Sequence, residues 1–196
     1  MKDSKGEPDS MGVGEANQAK RAGPAQKTKP SRRRRVVSIV AQVAVVAAVV
    51  FGIAEWQARD LVPRRSAAPG FTLRALDGAE VALSESRGKT VVLYFFAPWC
   101  GVCSASSKNV VALREARGED EVAIYAVGLD WSTTGELSRF AREHELNVPV
   151  LLGDDGVRRS YSIQAYPTVY VIDDRGRVRD RVVGYTTELG LRLRSL

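Results

Sequence analysis

Cysteine, histidine and methionine are nearly missing from this chain: its 196 residues hold two Cys, one His and two Met. Zinc usually takes four tetrahedral ligands, and Cys100, Cys103 and His144 together supply only three, which argues against a structural zinc site. A copper site that adds a histidine to two cysteines is the better metal reading. His144, however, lies in Arg142-Glu143-His144-Glu145, which reads as the solvated, polar end of an amphipathic helix. No Met-rich or His-rich stretch accompanies the thiols, and both methionines, Met1 and Met11, stand in the N-terminal tail. An excess of one charge is also lacking over most of the sequence. Ten of the 29 basic and four of the 23 acidic residues precede Val36, so the rest of the chain is close to neutral. The basic balance therefore reports a tail and gives no support to a nucleic-acid-binding domain.

Long apolar runs are absent too, with one exception. Val36 to Ala54 contains no charge and only Ser38 and Gln42 as polar residues. As a helix it would span roughly 28 Å at about 1.5 Å per residue, close to the ~30 Å hydrocarbon core of a bilayer. Residues 36–54 are thus expected to cross a membrane once. Arg32 to Arg35 precede the run and Trp56 follows it, which by the positive-inside rule puts residues 1–35 in the cytoplasm and the remainder outside. Gly52 and Ala54 would also suit signal cleavage after Ala54, and the paired arginines a twin-arginine export signal. Each version exports the C-terminal part. The tail 1–35 is rich in Gly, Pro, Lys, Ser and Ala and is expected to be disordered. Residues 55–68 read as a polar linker, and 69–196 as the folded domain.

The two cysteines stand together in Ala97-Pro98-Trp99-Cys100-Gly101-Val102-Cys103, directly after the apolar run Thr90 to Phe96. A strand followed by a C-x-x-C that opens a helix places the first thiol at a helix N-terminus, where free backbone N–H groups favour a thiolate. A purely structural disulfide is a poor alternative, since closing so short a loop removes little unfolded-chain entropy. The pattern points to disulfide exchange.

Around this motif, Phe71–Leu76 and Glu80–Leu83 flank Asp77-Gly78, a tight hairpin signal. Helices are expected from Cys100 to about Ala116 and from Leu137 to Glu145, with a short helix or turn over Val157–Ile163. Strands are expected over Glu121–Gly128 and Thr168–Ile172, the latter turning through Asp173-Asp174-Arg175-Gly176 into Arg177–Val183. Thr187–Arg194 reads as a closing helix packed through Leu189, Leu191 and Leu193. Strands alternating with helices and ending in an antiparallel hairpin give a mixed α/β sandwich.

Phe96-Ala97-Pro98-Trp99-Cys100-Gly101-Val102-Cys103, with Tyr166-Pro167-Thr168 at the start of a later strand, resembles the thioredoxin superfamily. That resemblance implies an α/β thioredoxin-like three-layer sandwich with an N-terminal β-hairpin extension, preceded here by one transmembrane helix. The leading hairpin, the insertion Leu129–Asp154 with its Asn147-Val148-Pro149-Val150, and the single anchor are similar to the membrane-tethered branch that includes cytochrome c maturation thioredoxins. Trp-Cys-Gly-Val-Cys and the ending Gly184 to Arg194 are most similar to suppressor of copper sensitivity D proteins.

By this resemblance Cys100 is the attacking thiol and Cys103 the resolving one. Trp99 shapes the surface around them, Pro167 is cis, and Tyr166 offers its backbone to an extended substrate. The partners implied are protein thiols or disulfides of the cell envelope and a membrane electron donor or acceptor, with no cofactor and no nucleic acid. A copper-handling dithiol protein is the alternative, because soft thiolates suit Cu(I). A peroxidase of the same fold would want Thr and Pro just before its cysteine, where this chain has Pro98-Trp99. Two further positions differ from the superfamily: Tyr94 stands where thioredoxins carry a buried aspartate, and Ser106 where cytochrome-maturation relatives carry a glutamate. Lys108 replaces the proline that usually follows.

Overall fold

The computed structural model describes residues 39–46, 48–49, 52–53 and 61–196. The expectations placed on the tail 1–35, on Trp56 and on the first part of the linker fall outside these residues. Residues 39–46, 48–49 and 52–53 are helical, and apolar side chains such as Val43, Val46 and Ile53 are exposed. Among the described residues no helix is long and apolar enough to cross a membrane.

The folded domain is organised by strand β3 (Thr90–Phe96), whose sequence TVVLYFF is apolar on both faces. Alternation sends Val91, Leu93 and Phe95 to one side and Val92, Tyr94 and Phe96 to the other, and all six are buried. Such a strand must be central and covered twice. It pairs in parallel with β4 (Val122–Gly128) and antiparallel with β6 (Thr168–Ile172). β5 (Val150–Leu152) and β7 (Val178–Val183) complete a mixed sheet of order β5-β4-β3-β6-β7.

Helices α1 (Gly101–Ala116), α2 (Thr134–Glu143) and α4 (Glu188–Arg194) cover one face through Val110, Leu113, Leu137, Phe140 and Leu191. The other face receives α3 (Asp155–Ser160), the hairpin β1 (Thr72–Arg74) and β2 (Glu80–Ala82), and a 3-10 turn over Leu83–Ser86. The result is the expected three-layer sandwich with its hairpin, whose turn residue Gly78 has φ 93°.

Two expectations are corrected. Residues 61–68 are not a loose linker: Leu61 is buried, the Val62 N–H donates to Tyr170 Oη at 3.0 Å, and Ala67 forms a bridge with Arg177. Packed structure therefore begins upstream of Pro69. Within the expected insertion Leu129–Asp154, strand β5 is held by its register with Ala126 to Gly128. In α4 only Leu191 is buried, while Leu189 and Leu193 are exposed, because residues two apart on a helix cannot share a face.

β4 and the chain after β5 approach closely at Gly153, whose N–H donates to the Gly128 carbonyl at 2.9 Å. A Cβ on Gly153 would lie 2.6 Å from that same oxygen. Gly153→Ala should therefore cost about 1–3 kcal/mol, in the range of overpacking substitutions. Urea unfolding would show it as a lower midpoint with an unchanged slope.

Candidate active site

β3 runs out at Phe96 and the chain turns through Ala97, with the Cys100 N–H donating to the Ala97 carbonyl at 3.1 Å. Cys100 then caps α1: its backbone is extended, and its Sγ accepts the Cys103 N–H at 3.1 Å. The sulfur thus sits where a helix of 16 residues presents unpaired N–H groups, the position that stabilises a negative sulfur once the pair is reduced. Cys100 and Cys103 are joined as a disulfide with Cα atoms 5.2 Å apart. Their exposures differ in the expected sense, 7% for Cys100 and 0% for Cys103. Nothing stands within contact of the position a Cβ would take on Gly101.

The antiparallel pairing of β3 with β6 brings the start of β6 alongside the end of β3, with Phe95 opposite Thr168. The peptide Tyr166–Pro167 is cis. Pro167 is buried, and its carbonyl accepts the Gly184 N–H at 2.7 Å. Trp99 is 68% exposed and meets Tyr166 edge to face, with ring centroids 5.9 Å apart. All five residues expected at the site, Trp99, Cys100, Cys103, Tyr166 and Pro167, therefore sit at one end of the sheet, where β3 ends and β6 begins.

Two residues at this end were not anticipated. Asp130 follows β4; its carboxylate accepts the Tyr166 hydroxyl at 3.0 Å and its carbonyl the Trp99 indole N–H at 3.2 Å. Its only trace in the sequence is its place just beyond the C-terminal end of a strand neighbouring β3. Gly184, with φ 89°, turns the chain beside Pro167, and a glycine closing a strand was its signal.

Beneath the pair, the two departures from the superfamily pattern meet each other. Tyr94 Oη lies 2.9 Å from Ser106 Oγ and 2.9 Å from the Cys103 carbonyl, to which it donates. Burial pushes the Tyr94 hydroxyl up to about 12, with the Ser106 hydrogen bond pulling the other way. Both groups are therefore neutral near pH 7. Burial first, and then the hydrogen bond and negative charge of Asp130, also raise the Tyr166 hydroxyl above its ordinary value.

A C-x-x-C disulfide capping the helix after the central strand, beside a cis proline at the start of the neighbouring strand, defines a thioredoxin-fold thiol–disulfide oxidoreductase. The chain belongs to the AhpC/TSA family, which it matches over residues 65–181. It is 34% identical over 168 residues to the thiol-disulfide oxidoreductase ResA of Oceanobacillus iheyensis, covering 82% of this chain and 87% of the relative. It is 32% identical over 123 residues to the thioredoxin-like protein YneN of Bacillus subtilis, covering 62% and 72%. The crystal structure of a thiol:disulfide interchange protein DsbE from Chlorobium tepidum superposes with a TM-score of 0.63 at 28% identity, covering 68% of this chain and 95% of that one. These likenesses place the chain in the ResA-like branch of the thioredoxin superfamily.

Proposed function

We propose that this protein is a membrane-tethered oxidoreductase of the cytochrome c maturation type, exchanging disulfides with cell-envelope proteins on the outer side of the cytoplasmic membrane. The carrying observation is the placement of Cys100 at the N-terminus of α1, with the fully buried Cys103 one turn behind it. In this reading a substrate thiolate attacks Cys100 Sγ and releases Cys103 as thiolate. A second substrate thiolate then attacks the substrate sulfur of the mixed disulfide, forming the substrate disulfide and releasing Cys100 as thiolate. In the opposite direction Cys100 attacks a substrate disulfide and Cys103 resolves the intermediate. Trp99, Tyr166 and Pro167 form the surface that receives the substrate backbone. Tethering is supported by the uncharged run Val36–Ala54 after four arginines and by the exposure of its described apolar side chains. A membrane electron donor or acceptor would then restore the pair.

The copper-handling alternative gains no support. The thiols are bonded to each other, and among the described residues no group of three His, Cys, Asp or Glu side chains is placed to hold a metal ion. His144 instead packs its ring against Phe140, with centroids 4.4 Å apart.

The test is Cys103→Ala in the full chain, expressed in a bacterium. Without the resolving thiol, Cys100 should accumulate disulfide-linked envelope proteins visible on non-reducing gels, and protease added to spheroplasts should digest the domain while sparing an N-terminal tag. Absence of any linked partner, or digestion of the tag, would overturn the corresponding half of the reading.

A further inference from the structure

Asp130 lies between the two segments that flank the disulfide. Trp99 immediately precedes Cys100, and Tyr166 immediately precedes Pro167, so a residue bonded to both side chains bridges the thiol-bearing turn and the proline-bearing turn. Each bond comes from a different part of Asp130, the carbonyl to the indole and the carboxylate to the phenol. The second is a charge-assisted bond, stronger than its neutral equivalent.

The turn that carries Asp130 is itself pinned on both sides. The Leu129 N–H donates to the Phe96 carbonyl at 2.8 Å and the Leu129 side chain is buried, while the Trp131 indole donates to the Gly153 carbonyl at 3.0 Å. Asp130 takes φ 50°, a left-handed conformation that Asp and Asn tolerate better than most residues. An exposed aspartate thus stands on a rigid support with its two acceptors turned toward the two aromatic rings. Those rings meet at 84°, with centroids 5.9 Å apart.

We propose that Asp130 is a positioning residue of the redox site: by holding Tyr166 and Trp99 it fixes the backbone beside Pro167 on which an extended cysteine-bearing peptide lies during exchange with Cys100. The inference rests on the reading that the Trp99–Tyr166–Pro167 surface receives substrate. It separates two kinds of thiol. A peptide must be aligned along that backbone, whereas a small dithiol reaches Cys100 without touching it, so the Asp130 bonds serve the first and are indifferent to the second.

The experiment compares reduction of the oxidised full-length protein by an unstructured peptide carrying two cysteines and by dithiothreitol. Each dithiol is oxidised to its disulfide as Cys100–Cys103 is reduced. Asp130→Gly removes the carboxylate while keeping the left-handed backbone accessible, and Tyr166→Phe removes the donor. Each should lower kcat/KM for the peptide by about tenfold, mainly through KM, as expected for one charge-assisted hydrogen bond. The dithiothreitol rate should stay within about twofold. Asp130→Asn, which keeps an acceptor oxygen, should retain most peptide activity, and the double variant Asp130→Gly/Tyr166→Phe should be no worse than the poorer single one. Equal losses with peptide and dithiothreitol, additive losses in the double variant, or an unchanged peptide rate would each overturn the assignment. If Cys103→Ala still captures the peptide through Cys100 in such a case, the exchange reading stands and only the role of Asp130 falls.

Discussion

Cys100→Ser should abolish disulfide exchange, lowering the rate by about 10³-fold or more, as removal of a nucleophile typically does. Only Cys100 caps α1, and of the two cysteines only Cys100 keeps any solvent exposure. The Cys103 N–H that its sulfur accepts at 3.1 Å in the disulfide belongs to the first turn of α1, where a thiolate formed on reduction would be stabilised. Iodoacetamide added to the reduced protein near neutral pH should accordingly modify Cys100 well before Cys103, with peptide mass mapping giving the order. Faster labelling of Cys103 would reverse the two roles. The contrast with Cys103→Ala is diagnostic, because that variant keeps the attacking sulfur and loses only the exit from the mixed disulfide.

The sequence disclosed the site better than its surroundings, and the reason is range. β3 and β6 are uninterrupted apolar runs bounded by polar or turn residues, and the strands at Thr90–Phe96 and Thr168–Ile172 coincide with their expected bounds. The C-x-x-C and the Tyr-Pro before β6 are local signals, and the β3–β6 pairing joins them. α2 begins at Thr134, three residues before the expected Leu137. At its start the Thr133 side chain makes no cap hydrogen bond; the Glu136 N–H donates to the Thr133 carbonyl at 3.1 Å, and the Glu136 carboxylate accepts the Ser132 N–H at 3.0 Å. β5 is only three residues long and directly follows Pro149, and its strand character comes from β4 rather than from its own pattern. Residues 61–68 looked like linker because Tyr170, whose hydroxyl receives the Val62 N–H, lies 108 positions away. Asp130 was illegible for the same reason, since each of its bonds spans more than thirty residues.

In the wild-type protein the rate at which Cys103 resolves a mixed disulfide should climb about tenfold per pH unit between pH 6 and 8, because the thiolate is the attacking species and, among the described residues, the side chains hydrogen-bonded beneath Cys103 are the hydroxyls of Tyr94 and Ser106 rather than a carboxylate or imidazole. The position below the pair is filled by hydroxyls: Tyr94, pushed up to about 12 by burial, stays protonated throughout this range. Its partner Ser106 has no proton to lose there, and the two lie 2.9 Å apart. Ser106 is three residues after Cys103 in α1 and 1% exposed, hence on the same buried face of the helix. A carboxylate installed there by Ser106→Asp would be raised toward neutrality by desolvation, and Tyr94 Oη could still donate to it. Such a group would act as a general base, so resolution at pH 6.5 should accelerate by about tenfold or more, with a flatter pH profile. Tyr94→Phe, by contrast, should leave the slope unchanged while costing about 1–3 kcal/mol, because the buried Cys103 carbonyl and Ser106 hydroxyl lose a partner. Rapid-quench measurement of a preformed mixed disulfide gives the profile. A wild-type rate that levels off below pH 7 would reveal a base other than these hydroxyls, and an unchanged slope in Ser106→Asp would show that this face of α1 does not reach the Cys103 proton.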